Sequence, residues 1–264
     1  SLDGPGGGAV ILNATSIIVE GSILTLGKTE SANTRGGGSG GSIWIISDNL
    51  EGNGTISANG GSAYYSGGSG GRISFHNVSN YNFIGTVSTL GGGGSTGFER
   101  GFAGTIVFPQ SKLDNFILSN TLRLGGDINY TFGNLTILDG GILELDADPR
   151  SNYNSITSLY EGSTSRVFAD IINVTSGGTI SANYLGFPQT QGPGYYSDLR
   201  GGIYASRGTS NTKVTYGDSH APISLGSGSL DGPGGGAVIL NATSIMVGGS
   251  ILSLGKTESF YNSE

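Results

Sequence analysis

Acidic side chains cluster at one place in this chain, Glu144, Asp146 and Asp148, with Arg150 beside them. On a strand, residues two apart share a face. Three carboxylates so spaced could chelate calcium through hard oxygen ligands, or supply the acid and base of a polysaccharide-cleaving reaction. The preferred reading is a solvated acidic strand face; calcium and catalysis remain the alternatives. The two histidines, His76 and His220, lie far apart in the sequence, without an evident partner. Gly27-Lys28-Thr29, repeated as Gly255-Lys256-Thr257, imitates the end of a phosphate-binding loop. The five residues between Gly21 and Gly27 exceed the four that loop needs, and they read as a strand. No helix follows to aim its amides at phosphate. A nucleotide site is rejected.

Seven Asn-x-Ser/Thr sequons stand at Asn13, Asn53, Asn77, Asn129, Asn134, Asn173 and Asn241. In a secreted eukaryotic chain these are acceptors for N-linked glycans; otherwise asparagine is simply frequent at turns. Asn13 and Asn241 end the first strand of equivalent segments, and Asn77 falls at nearly the same place, so the three are expected on one face. The pairs Tyr64-Tyr65 and Tyr195-Tyr196 sit in glycine-rich stretches, where a ring could stack on a sugar or cover an edge of the structure. Trp44 lies within Ile43-Trp44-Ile45-Ile46; if its neighbours fill the core, alternation turns it outward. Ser22, Thr55, Thr86, Thr179 and Ser250 share one position and would form a hydroxyl ladder.

Composition narrows the classes further. Glycine supplies 51 of 264 residues, and only 12% are charged, against about 25% in a typical domain. Yet 35% are hydrophobic, in short alternating runs that a disordered chain lacks. Proline, at 7, is too scarce for collagen, and no triplet period runs through the chain. A net charge of −7 and scattered lysines and arginines argue against nucleic acid. No apolar stretch approaches the ~20 residues of a membrane span. Any targeting segment is expected to have been removed or to lie outside this sequence. Cysteine is absent, so disulfides cannot staple the chain.

What must position these residues is a repeat. Residues 229–259 reproduce residues 1–31 at 28 of 31 positions, differing at Ile18/Met246, Glu20/Gly248 and Thr25/Ser253. Residues 1–228 therefore make one unit, and 229–264 begin its next copy. Inside it, a glycine followed by an alternating apolar run recurs from Gly8, Gly41, Gly71, Gly104, Gly202 and Gly236. A second pattern follows at a nearly constant distance, from Gly21, Gly54, Gly85, Gly178 and Gly249. Thr55-Ile56-Ser57-Ala58-Asn59 and Thr179-Ile180-Ser181-Ala182-Asn183 are identical. The spacing predicts an all-β parallel β-solenoid, about seven coils of ~33 residues per unit, joined by glycine-rich loops.

Gly-Gly-Ser-Gly-Gly-Ser-Ile at 37–43, Gly-Thr-Ile-Ser-Ala-Asn-Gly at 54–60 and Gly-Gly-Ser-Gly-Gly-Arg-Ile at 67–73 resemble the glycine-rich parallel β-helix repeats of large secreted or cell-surface proteins of microbes and protists. The resemblance covers residues 1–108 and 229–255. It implies an extracellular fibre or adhesin rather than an enzyme, and Asn-Thr-Asp, Gly-His-Gly and Arg-Ile-Lys, the signatures of pectin-degrading β-helix hydrolases, are absent. The expectation is a structural segment partnered by copies of itself, in tandem or head to tail. It carries no cofactor beyond N-linked glycans and the calcium candidate. An adhesin stalk holding polysaccharide through its tyrosines is the alternative, and a polysaccharide lyase or hydrolase a more distant one.

Overall fold

A computed structural model describes residues 4–30, 36–94, 100–126, 128–150, 153–155, 159–195, 204–205, 215–230 and 232–256. Among the described residues the chain is all-β, with parallel pairing between successive passes. A first pass supplies β1 (Ala9–Asn13), β2 (Ser16–Ile18) and β3 (Ser22–Leu24). The second supplies β4 (Ser42–Ile46), β5 (Asn49–Gly52) and β6 (Thr55–Ser57), the third β7 (Arg72–His76), β8 (Asn80–Phe83) and β9 (Thr86–Ser88). The fourth runs through β10 (Thr105–Val107), a helical turn α1 (Gln110–Leu113), β11 (Asn115–Leu118) and β12 (Thr121–Leu124). The fifth holds β13 (Tyr130–Ile137) and β14 (Ile142–Leu145). Four two-residue strands follow, β15 (Ala147–Asp148), β16 (Tyr153–Asn154), β17 (Leu159–Tyr160) and β18 (Ser163–Thr164), pairing antiparallel as β15 with β18 and β16 with β17. The sixth pass is β19 (Arg166–Val174) and β20 (Thr179–Ser181), and the second copy of the repeat forms the seventh, β21 (Ile239–Val247) and β22 (Ser250–Leu252).

Alternation fixes which side faces in. Val10, Ile43, Ile73 and Ile106 stack in one row of the sheet β1-β4-β7-β10, and Leu12, Ile45 and Phe75 in the next. Phe116, Leu135, Ile172 and Ile245 form a row of β11-β13-β19-β21, and Leu122, Leu143, Ile180 and Ile251 one of β12-β14-β20-β22. Within a pass sandwiched between two others, Ile43, Ile45, Leu50 and Ile56 are almost wholly buried.

The register departs from a uniform coil length. Ala9 pairs with Ser42, Ser42 with Arg72 and Arg72 with Thr105, steps of 33, 30 and 33. Asn115, Asn134, Ile171 and Ser244 are partners in turn, at steps of 19, 37 and 73. Because β19 pairs directly with β21, no pass fits between them, and one repeat unit is crossed in six steps rather than seven. Gly202, expected to open a strand, lies outside the described residues.

The glycine-rich segments are not loops. Residues 4–8, 36–41, 66–71 and 100–104 form one hydrogen-bonded layer, and 25–30, 58–63 and 89–94 a second layer against it. Gly4 N and Gly7 N donate to Gly36 O and Ser39 O, and Gly37 N and Gly40 N to Ser66 O and Ser69 O. Gly38 N and Gly41 N instead cross to Lys28 O and Thr25 O, as Gly68 N and Gly71 N cross to Gly61 O and Ala58 O. A bond to the same neighbour recurs every third residue, as in a threefold, polyproline-II-like chain. The local triplet in Gly37-Gly38-Ser39-Gly40-Gly41 follows: one glycine bonds along the layer, the next across it, and Ser39 faces solvent. A Cβ on Gly68 would fall on the carbonyl of Gly38, whereas one on Gly8 would meet nothing within 4 Å.

Midway all three sheets stop, β1-β4-β7-β10 at β10, β2-β5-β8 at β8 and β3-β6-β9 at β9, and two new ones begin with β11 and β12. The cause is local. Three residues join β7 to β8, but residues 108–114 join β10 to β11 and close into α1, where Lys112 N and Leu113 N bond Pro109 O. Ser111 Oγ caps the preceding corner by donating to Val78 O, 2.6 Å away. Rings bridge the break instead: Phe75 stacks on Phe108 (5.8 Å), Phe108 meets Phe116 (5.2 Å) and Phe116 meets Phe132 (5.3 Å).

Gly68→Ala should therefore lower stability by about 1–3 kcal/mol or more, the cost of forcing packed layers apart. Gly8→Ala should leave the thermal midpoint unchanged or slightly raised. Thermal unfolding of the two variants checks the pair.

Candidate functional site

The three acids do not meet on one face. Glu144 points outward from β14 and pairs with Arg123, its register partner on β12, at 2.8 Å. Asp146 follows the end of β14 and turns inward, its side chain 1% exposed. It accepts two bonds from Arg100, at 2.9 and 2.6 Å, and one each from Ala103 N and Ala147 N. Asp148 accepts from Arg150 N at 2.8 Å. The strand spacing that suggested a shared face is broken because β14 stops at Leu145. Asp146 is thus saturated by a buried ion pair and two amides. Among the described residues no three His, Cys, Asp or Glu side chains converge on a point that could hold a metal ion. His76 lies edge-on to Trp44 at 6.3 Å, and exposed His220 contacts Ser219 and Asp218.

The asparagines divide by exposure. Asn13, Asn53, Asn77, Asn129 and Asn241 are exposed, while Asn134 and Asn173 are half-buried. Asn134 Nδ2 donates to Asn115 Oδ1 at 2.9 Å, and Asn80 Nδ2 to Asn49 Oδ1 at 2.6 Å, so two short asparagine ladders run between passes. The expected alignment of Asn77 with Asn13 is off by one. Asn13, Ile46 and His76 are register partners, and Asn77 occupies the following corner at φ 59°. Asn59 and Asn183, from the two identical pentapeptides, do the same work: each Oδ1 accepts an amide of the next pass, Leu90 N and Leu254 N respectively.

Tyr64 and Tyr65 form the tip joining the two glycine layers, exposed and edge-to-face at 5.0 Å. Tyr195 is half-buried, and Tyr196 lies outside the described residues. Trp44 faces outward in a row with Ile11, Ser74 and Val107. Ser22, Thr55 and Thr86 are register partners, as are Thr179 and Ser250, but Ile142 interrupts the ladder beside Thr179.

Two features carried no sequence signal, because their partners are distant in the chain. One is a buried polar network in which Ser224 Oγ donates to Glu161 Oε2 (2.8 Å), Tyr216 Oη to Leu225 O (2.7 Å) and Ser227 Oγ to Tyr216 Oη (2.9 Å). Burial pushes the Tyr216 hydroxyl up to about 12. The other is a cleft at the sheet break, about 130 Å³, lined by Tyr81, Phe83, Phe108, Lys112 and Phe116. Lys112 lies over the Tyr81 and Phe116 rings (5.3 and 4.8 Å), and burial lowers its ammonium pKa.

The repeat itself supplies the clearest site. Its two copies occupy the two ends of the stack, so one sequence is seen in two environments. Val19, covered by the second pass, is 5% exposed; its equivalent Val247, with no following pass over it, is 50% exposed. Lys28 N bonds Pro5 O and Lys256 N bonds Pro233 O, both at 3.0 Å, so the local glycine-layer contact is the same in both copies. β1, β2 and β3 end three sheets, and β21 and β22 end two others. No helix among the described residues is long and apolar enough to cross a membrane. Comparison with protein-family models, curated proteins and solved structures finds no match to this chain.

Asp146→Asn leaves Arg100 without its carboxylate and should cost about 3–5 kcal/mol, the range for breaking a buried ion pair. Glu144→Gln breaks a partly exposed pair and should cost under ~1 kcal/mol. Urea midpoints of the two variants test the contrast.

Proposed function

We propose that this chain is a structural segment of an extracellular filament or surface fibre, a parallel β-solenoid whose passes are coils and whose length grows by stacking them. The observation that carries this reading is the seating of the second repeat copy on the sixth pass. Residues 239–247 continue the same parallel ladders that the unit uses internally. A sequence that restarts and pairs as one more coil has a built-in means of extension. The mechanism is mechanical: main-chain hydrogen bonds run along the axis, glycine layers add a second bonded direction, and no reaction is required of any side chain. Exposed Asn13, Asn53, Asn77, Asn129 and Asn241 are the acceptors best placed for N-linked glycans.

One observation favours a second reading, an adhesin stalk. The exposed, edge-to-face Tyr64 and Tyr65 rings offer a stacking surface to a sugar. On that reading Tyr64→Ala with Tyr65→Ala abolishes retention on a polysaccharide column and leaves assembly intact; unchanged retention removes it.

Electron microscopy with axial averaging tests the fibre. Six steps at a strand separation of ~4.8 Å place successive units about 29 Å apart. Filaments carrying that repeat are expected, and discrete rods without it would overturn the proposal.

A further inference from the structure

We propose that two molecules of this chain join by strand exchange, residues 9–26 of one taking the place of residues 237–254 on the β19 and β20 edges of the other. The inference rests on the stacked-coil reading above and adds to it an intermolecular joint with a stated register. Its partner is a second copy of the same chain.

The replacement fits in sequence and in space. The first copy differs from the second at three positions, and each substitution is accommodated. Ile18 and Met246 are both exposed. Ser253 is exposed, leaving room for the extra methyl of Thr25. At Gly248 an added Cβ would come no nearer than 3.5 Å to another atom, in a backbone outside the left-handed region, so Glu20 is admissible there. The exchanged register follows from the one observed: Ile171 opposite Ser16 instead of Ser244, Asn173 opposite Ile18 instead of Met246, and Thr179 opposite Ser22 instead of Ser250.

The hydrogen-bonding groups are available. In the first copy, Val19 N, Thr25 N and Gly27 N donate to the following pass at Glu51 O, Ser57 O and Asn59 O, and Gly21 O accepts from Thr55 N. In the second copy a different set serves the preceding pass. Gly248 N and Ser250 N donate to Val174 O and Gly178 O, while Leu252 O and Leu254 O accept from Ala182 N and Tyr184 N. Their equivalents are Glu20, Ser22, Leu24 and Leu26, which alternate with the first set. A parallel strand sends alternate residues to opposite neighbours, so one coil holds both without surrendering a bond.

Burial is compatible with the same joint. The inward side chains of the first pass, Val10, Leu12, Ile17 and Ile23, remain partly exposed, whereas their partners Ile43, Ile45, Leu50 and Ile56, sandwiched on both sides, are 0–1% exposed. Seating the first pass on β19 and β20 buries that apolar surface while the displaced residues 237–254 expose the equivalent one, so the exchange is balanced in burial. The exchanged joint is heterologous and does not close, so repeated exchange builds an open filament. It trades one ladder for its equivalent, which makes the balance depend on concentration.

The chain has no cysteine, so introduced pairs report cleanly. Parallel neighbours ~4.8 Å apart lie within the ~4.4–6.8 Å between Cα atoms that a disulfide spans. Ser16→Cys with Ile171→Cys, oxidised in the full chain, is expected to give a covalent series at multiples of 26.7 kDa that lengthens with concentration. Ile171→Cys with Ser244→Cys should close within one molecule and stay monomeric. If the second variant closes and the first stays monomeric with free thiols at every concentration, exchange is overturned and the stacked-coil reading stands. If neither closes, the β19–β21 pairing is itself wrong and both readings fall.

Discussion

The contact on which the structure depends is one main chain lying directly on another with no side chain between. Gly38, Gly61, Gly68, Gly92 and Gly101 form a single zigzag, each amide donating to the carbonyl of the one before it, from one glycine layer to the other and back. Layers this close have no room for a Cβ, and the carbonyls of the facing chain occupy the place where one would stand. Glycine loses more conformational freedom on folding than any other residue. Here that cost is offset by backbone groups satisfied in two directions, along the stack and across it, and by closely packed chains. It accounts for many of the glycines among the described residues.

The same constraint explains where the regular pattern gives way. Near the first three passes the layers hold neighbouring strands in step, and the unbroken pairing from Ala9 through Ser42 to Arg72 follows. In the fourth pass residues 108–114 add a helical turn, and none of the three sheets continues across it. Ring packing from Phe75 to Phe132 and the corner bond from Ser111 take over the continuity that main-chain ladders lose. Farther on, the ion pair between Arg100 and Asp146 ties the end of the fourth pass's glycine layer to the end of β14. An acid with such a role has its oxygens committed to structure, which is why a fold reading suits it better than a catalytic one.

In the two copies of the repeat, alternate residues of one segment bond a following pass and a preceding pass. The repeat places that segment in the first and the seventh pass, with Val19 covered in one copy and Val247 open in the other. The parallel ladder supplies specificity through register: a shift of one residue would turn every inward side chain out.

Much of this was legible from residues alone, where the information is local. Alternation in Ser42–Ile46 and Arg72–His76 announces strands, and the burial of Ile43 and Ile45 then puts Trp44 outside. The glycine-led patterns mark the starts of β4, β6, β7, β10, β20 and β22, and the near-identical ends declare a repeat. What the sequence by itself determined was therefore the strand content, the facing of side chains and the recurrence of one segment. Only the tertiary structure decided how many steps cross a unit, that the glycine runs are packed layers, and that Asp146 belongs to Arg100. The reason is range. Alternation and glycine tolerance act over a few bonds, whereas partners as distant in the chain as Arg100 and Asp146, or Ile171 and Ser244, are chosen by how the intervening segment packs.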